Sequence, residues 1–207
     1  VESDEPSPQA DVAADAAGPA DAATESAPQR DKERTRAAIL DAAAEMISER
    51  GSGVSLASIA ARAGVSKGAL THHFPHRLEL ERALIRRSNE QFWDDVHALV
   101  DLSENRPGKL LRAYVRALTA PDSRAADVFS PSSLLVVLGD DPGMEDLVEE
   151  GAARWRQELE ADGFDPVQVL AVRLACEGFA MNIGTPYLTE EERALAHTRL
   201  LELAEPR

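Results

Sequence analysis

Apolar residues along this chain recur at helical spacing and almost nowhere alternate. Ile39, Ala43, Met46 and Ile47 fall at i, i+4, i+7 and i+8, and Arg50 continues the series. That period puts the first four on one face of a helix beginning near Asp31, which Gly51 and Gly53 then end. Ser55 is a candidate N-cap for a short helix over Leu56–Ala63, and Gly64 breaks it. Ser66 caps a third helix running to about Phe74, where Pro75 stops it. A long fourth helix is expected over Arg77–Leu102, with Ile85, Phe92, Val96 and Leu99 facing inward. Arg106, Pro107 and Gly108 mark a turn, and helices follow at 108–119 and 122–137, the second broken near Pro131. Gly139–Gly143 reads as a loop. Met144, Val148, Ala152, Trp155 and Leu159 form the next stripe, ended by Gly163. Val167, Leu170, Ala171, Leu174, Ala175 and Gly178 form another, Thr185-Pro186 interrupts, and Thr189 caps a last helix to about Ala204. The pattern predicts an all-α chain of nine or ten helices, without strands or internal repeats.

Composition adds limits. The hydrophobic fraction is 43% but aromatics are only 4%, so the core is built mainly from Ala, Leu and Val. A single cysteine, Cys176, excludes a disulfide framework and a multi-cysteine zinc site. It reads as a small core residue in a reducing cytosol. No apolar run approaches the roughly 18–20 residues of a membrane helix, and no signal-peptide pattern opens the chain; a cytoplasmic protein is expected.

The net charge of −15 is unevenly spread. Residues 1–29 carry −7 with no Lys or Arg, residues 30–88 carry +4, and residues 89–207 carry −12. The first block has too few large apolar residues to offset ordering entropy and reads as a disordered acidic tail. The basic block is the one with three short helical segments, and acidic flanks would turn it toward phosphate.

Within that block, LASIAARAGVSKGALTHHFPHRLEL spans Leu56 to Leu80. It reads as two helices joined by a tight turn at Ala63-Gly64-Val65. Leu56, Ile59, Ala60, Val65 and Leu70 are spaced to pack against Ile39, Ala43 and Ile47. At 100° per residue, Ala69, Leu70, His73 and Phe74 lie on one side of the third helix. Gly68, Thr71 and His72 lie on the other, with Lys67 at the edge. Small and polar residues on an outer face suit a major groove.

These residues carry a resemblance. From Thr35 to Leu84 the chain resembles the DNA-binding domain of the TetR family of bacterial repressors, through TRAAILDAAAEMISERG, IAARAGVSKGAL and HHFP in order. The resemblance implies an all-helical homodimer with a helix-turn-helix head over 30–84 and a helical ligand-binding and dimerisation domain over 85–207. It implies that Ser66, Lys67 and Gly68 open the recognition helix and that Thr71 and His72 lie on its groove face. Thr71 stands where the family usually has Tyr; it can donate to a phosphate or touch a thymine methyl. Arg77 stands where Lys is usual, and Ser55, Arg34 and Arg36 take positions that often reach phosphate. The implied partners are a double-stranded, near-palindromic operator and a small-molecule effector.

Phe92, Tyr114, Phe129, Leu134, Trp155 and Phe179 are candidate pocket residues, though each is first of all a core residue. Trp93 is a further large residue, and Arg112, Arg154 and Asn182 are candidate polar groups. Ala171, Ala175 and Gly178 form a small-residue stripe that suits a dimer contact or an internal one. Neighbouring His72 and His73 point about 100° apart and Pro75 separates them from His76, so no metal site is expected. Neither a cofactor motif nor a constellation for catalysis is present. The other functional class is a small-molecule or protein-binding module with a degenerate DNA-binding head.

Overall fold

The computed structural model describes residues 27–121 and 144–206. Every regular element among them is a helix: α1 (Ala27–Arg50), α2 (Leu56–Arg62), α3 (Lys67–His73), α4 (Arg77–Ala98), α5 (Lys109–Thr119), α6 (Glu145–Ala161), α7 (Pro166–Asn182) and α8 (Glu190–Leu203). None is long and apolar enough to cross a membrane. The helix expected over 122–137, the 139–143 loop, and with them Phe129 and Leu134, lie outside the described residues, as does the acidic tail up to residue 26. The last three residues assigned to that tail are helical, because α1 begins at Ala27 rather than Asp31. Pro28 sits in the first turn, where a missing N–H costs nothing, and Gln, Arg, Lys and Glu then sustain the helix.

The expected N-caps hold. The side chains of Ser55, Ser66 and Thr189 accept from the N–H groups of Ser58, Ala69 and Glu192, and Glu192 completes a reciprocal capping box.

Two cores form. In the head, Ile39, Met46 and Ile47 of α1 meet Ile59, Leu70, Phe74 and the α4 residues Leu80, Leu84 and Ile85. In the C-terminal helices, Phe92 and Val96 of α4 meet Leu111, Tyr114, Leu118, Trp155, Leu159, Val172 and Cys176. Helix α4 serves both cores, the first through Ile85 and the second from Phe92 onward. Met144 and Leu147, from the start of α6, are also buried in the head's core. Arg82 holds Asp146 in a two-pronged ion pair at 3.0 and 2.8 Å, and Arg87 ties α4 to Asp41 and to the Ala37 carbonyl of α1.

Three expected faces shift. Helix α4 ends at Ala98, and Leu99 is its exposed C-cap; the Leu99 and Val100 N–H groups close i→i−3 bonds there. On α6, Leu147, Trp155 and Leu159 are buried, while Val148 is half-buried and Ala152 exposed. On α7, Val172, Cys176 and Phe179 face inward, and the stripe from Val167 to Gly178 is open to solvent. Both are amphipathic helices with apolar residues on more than one face, and neighbouring helices decide which face is covered. Cys176 is fully buried, and burial, with the Glu177 charge beside it, pushes its thiol up to about 12. It is an unreactive core residue.

A buried arginine fastens the C-terminal helices together. Arg112 is 1% exposed. Its guanidinium meets Glu104 at 2.8 Å and donates to the carbonyls of Ala204 at 2.6 Å and Pro107 at 3.0 Å. The loop before α5 and the end of α8 thus close on one side chain. Although burial alone would raise the Glu104 carboxyl, the hydrogen bonds from Arg112 and Arg106 outweigh it and hold Glu104 below the ordinary carboxylate value. Gly108 precedes α5 at φ +86, in the left-handed region. A Cβ there would fall 2.7 Å from the Phe164 ring and 2.9 Å from the Arg112 guanidinium. Asp162 caps α5 from outside, accepting from the N–H groups of Leu110 and Leu111.

Arg112→Met should cost about 1–3 kcal/mol, because it leaves the buried Ala204 carbonyl without its donor and Glu104 with Arg106 alone. Urea unfolding followed by circular dichroism measures this, and a loss near zero would show the clamp to be dispensable. Gly108→Ala should lower stability by at least about 1–2 kcal/mol, combining left-handed strain with the Phe164 clash. The same unfolding assay, with Gly53→Ala as a substitution in open space, separates that effect from ordinary glycine loss.

Candidate nucleic-acid interface

The recognition surface is assembled from two seven-residue helices and the turn between them. Helix α2 ends on Ala63, Gly64 takes φ +70, and the Val65 N–H returns to the Ala60 carbonyl at 3.0 Å. Ser66 leaves the turn in extended backbone and caps α3. Leu70 and Phe74 anchor α3, both at 2% exposure or less. With that face pinned, Lys67, Gly68 and His72 are exposed, and Ala69, Thr71 and His73 are half-buried.

Gly68 is informative because the fold does not ask for it. A Cβ there would meet nothing closer than the Ser66 hydroxyl at 3.7 Å, and its φ is not in the left-handed region. Glycine in a helix costs about 1 kcal/mol against alanine. What it leaves is a flat patch between Lys67 and Thr71 on the open side of α3. The Thr71 hydroxyl lies 3.1 Å from the Lys67 carbonyl and 3.0 Å from the Gly68 carbonyl, so its proton is spent inside α3. Donation from Thr71 to a phosphate is thereby disfavoured, while its lone pairs and its methyl remain for a partner.

His72 and His73 stand edge to face, with ring centroids 5.7 Å apart. Burial, then the charges of His72, Lys32 and Arg36, lower His73 from its ordinary value, so it is neutral at pH 7. His76 precedes α4 as an exposed N-cap. Among the described residues no group of His, Cys, Asp or Glu could hold a metal ion.

The expected phosphate contacts divide. Arg34 is exposed and pairs with Asp31 at 3.0 Å. Arg36 is exposed with its guanidinium 5.1 Å over the Phe74 ring, against the end of α3. Ser55 and Ser66 are exposed, but each hydroxyl is engaged in capping. Arg77 turns inward: it donates to Glu81 at 2.7 Å and to the carbonyls of Val54 and Ser52. It secures the loop between α1 and α2 and has little left for phosphate. Sequence reasoning passed over Lys32, although its i, i+4 spacing from Arg36 puts both on one face of α1.

Of the pocket candidates, Phe92, Tyr114 and Trp155 come together as one aromatic cluster with centroids 5.2–5.4 Å apart. Trp93 joins it through Trp155, with Arg154 stacked 3.5 Å over its ring. The Tyr114 hydroxyl donates to Glu177, whose second oxygen is buried without a hydrogen-bond partner among the described residues. Burial raises the Tyr114 hydroxyl well above its usual value, and the Glu177 charge adds to that. Phe179 is not part of this cluster. With Asn182 it lines a separate groove of about 570 Å3 between α7 and α8. Arg112 is the clamp described above and is not available to a ligand.

Two family models match the chain: bacterial regulatory proteins of the tetR family over residues 39–84, and the tetracyclin repressor-like C-terminal domain over residues 108–205. A search of the curated proteins finds no match. Among solved structures, a transcriptional regulator from Rhodococcus sp. Rha1 is similar in fold at 24% identity, with a TM-score of 0.63 over 84% of this chain and 95% of that one. A TetR family member from Streptomyces coelicolor A3 is 25% identical, with a TM-score of 0.58 over 83% of this chain and 99% of that one. The multidrug binding protein EbrR, complexed with malachite green, is 25% identical, with a TM-score of 0.60 over 83% and 98% of the two chains. The helix-turn-helix geometry and the two matched segments agree: this chain is a transcriptional regulator of the TetR family, a DNA-binding head on a tetracyclin repressor-like C-terminal domain.

Proposed function

We propose that the protein is a homodimeric repressor that binds a near-palindromic operator and leaves it when a small molecule occupies its C-terminal helices. The observation that carries the DNA reading is the open face of α3, where Lys67, Gly68, Thr71 and His72 face away from a head pinned by Leu70 and Phe74. Two such heads would enter successive major grooves about 34–36 Å apart.

The dimer reading rests on α7 and α8. Val167, Leu170, Leu174 and Met181 line one side of α7 at 46–76% exposure, Leu195 of α8 is 65% exposed, and Ala171, Ala175 and Gly178 lie among the α7 residues. An apolar face of this kind favours a self-complementary partner, and small residues allow close helix approach. The effector reading rests on the Phe92, Tyr114 and Trp155 cluster beside the Glu177 carboxylate. EbrR, at 25% identity, is a multidrug binding protein that takes malachite green. Helix α4 links this cluster to the head, so an effector that favours a different spacing of the heads would release the operator by population shift.

The other reading, a binding module whose head selects no DNA, draws on Thr71 in place of an aromatic residue. Selection from a random duplex library at about 0.15 M salt, where long-range charge is screened, separates the two. A near-palindrome with half-sites one helical turn apart is expected. Absence of any enriched sequence, with a small molecule still raising the melting temperature, would favour the binding module. On the selected duplex, Lys67→Ala should weaken binding and reduce the salt slope by about one unit if Lys67 meets phosphate. An unchanged slope with one base position relaxed would assign it to a base.

Leu174→Glu places a charge in the middle of the exposed α7 face without touching the protomer's core. Light scattering after size exclusion should show a shift from dimer to monomer, with operator affinity falling in step. A mutant that remains dimeric would move the interface elsewhere.

A further inference from the structure

A groove on the C-terminal helices belongs neither to the head nor to the aromatic cluster. It lies between the end of α6 and the start of α7 and has a volume of about 220 Å3. Its interior is apolar. Leu159 is buried beneath it, Phe164 and Val169 line it half-buried, and Leu170 lines it exposed. The Phe164 ring packs against Gly108, where a Cβ would fall 2.7 Å from it, so this wall is fixed from the α5 side. Pockets for drug-sized molecules run to roughly 300–1,000 Å3. This smaller groove suits a single ring or a short acyl chain.

Its polar lining is charged and lopsided, with Arg156 and Glu160 from α6 and Arg173 from α7. No ion pair joins Arg156 or Arg173 to a carboxylate among the described residues, although residues 89–207 carry −12. Arg156 spends its Nε on the Ala152 carbonyl of its own helix. Arg173 stands one turn before Glu177, a spacing that favours pairing, yet Glu177 takes the Tyr114 hydroxyl instead. Glu160 is exposed, so water damps its charge. Two guanidinium groups against one solvated carboxylate leave the groove net positive. A guanidinium takes a carboxylate through two parallel N–H donors, which fixes orientation as well as charge.

We infer that this groove binds a small organic anion, a carboxylate on a single ring or short acyl chain. Arg156 and Arg173 hold the carboxylate, and the apolar body lies against Leu159, Phe164 and Val169. Charge complementarity selects an anion over a cation. A second copy of the chain is the rival occupant, because Leu170 also lies on the exposed α7 face. The site is separate from the aromatic cluster proposed above for the effector. It bears on the head through α6, whose start is buried there by Met144 and Leu147.

The test uses the full chain without DNA, so its failure leaves the repressor reading untouched. Hexanoate, hexanol and hexylammonium share one chain length and differ in charge at pH 7. Ligand-observed NMR compares their binding to wild type, Arg156→Gln, Arg173→Gln and Arg50→Gln, the last an exposed arginine of α1 outside the groove. Unchanged thermal melting verifies each fold. Hexanoate is expected to bind wild type and Arg50→Gln alike, and more tightly than the other two probes. Arg156→Gln and Arg173→Gln should each weaken hexanoate about fivefold, as for a partly exposed charge pair, and leave hexanol unchanged. Absence of hexanoate binding, equal affinity for the three probes, or a preference for hexylammonium would overturn the inference. Hexanoate binding indifferent to both arginines would also overturn it, placing the anion elsewhere. Binding to a monomeric Leu174→Glu variant but not to dimeric wild type would do the same, assigning the groove to the second copy.

Discussion

Leu80, Leu84 and Ile85 close the core of the head, and Phe92 and Val96, two turns further along the same helix, close the core of the C-terminal helices. An α-helix transmits such a constraint because its backbone bonds resist bending, so the two cores cannot move independently along α4. A second tie runs in parallel. Met144 and Leu147 bury the start of α6 in the head while Trp155 and Leu159 bury its remainder in the other core. The Arg82–Asp146 pair is largely solvent-exposed on its acidic side and adds direction more than energy. A displacement of α6 relative to α4 thus reaches the head through packed side chains.

The ionic groups of the molecule differ in what they accomplish. Arg112 is buried and, through Glu104 and the carbonyls of Pro107 and Ala204, holds the loop before α5 and the end of α8 at one point. Arg77, at the foot of the helix-turn-helix, does for the loop between α1 and α2 what Arg112 does near the other end. The charges on the open faces of α1 and α3 have a different character. Lys32 and Lys67 are exposed, and no ion pair joins either to a carboxylate among the described residues. Groups in that condition are solvated until a partner of opposite charge arrives, and phosphate is such a partner.

Much of this protein was legible in the residues themselves. The N-caps Ser55, Ser66 and Thr189, the turn at Gly64 and the buried faces of α1, α2 and α3 follow from local rules, because a cap or a turn is satisfied within four or five residues of itself. The helix-turn-helix is nearly all local in that sense, which is why its motif can be recognised at all. What only the tertiary structure decided concerns groups whose partners are distant in sequence. Arg77 reads as a phosphate ligand until its guanidinium is seen to close on Ser52 and Val54, and Arg112 as a pocket residue until Ala204 is seen to accept from it. The stripe from Val167 to Gly178 is a sound apolar face by its period, yet in the single chain it stays open while Val172, Cys176 and Phe179 turn inward. Periodicity counts apolar positions, but which of two faces is covered depends on the helices that pack against it, and those are set by the whole chain.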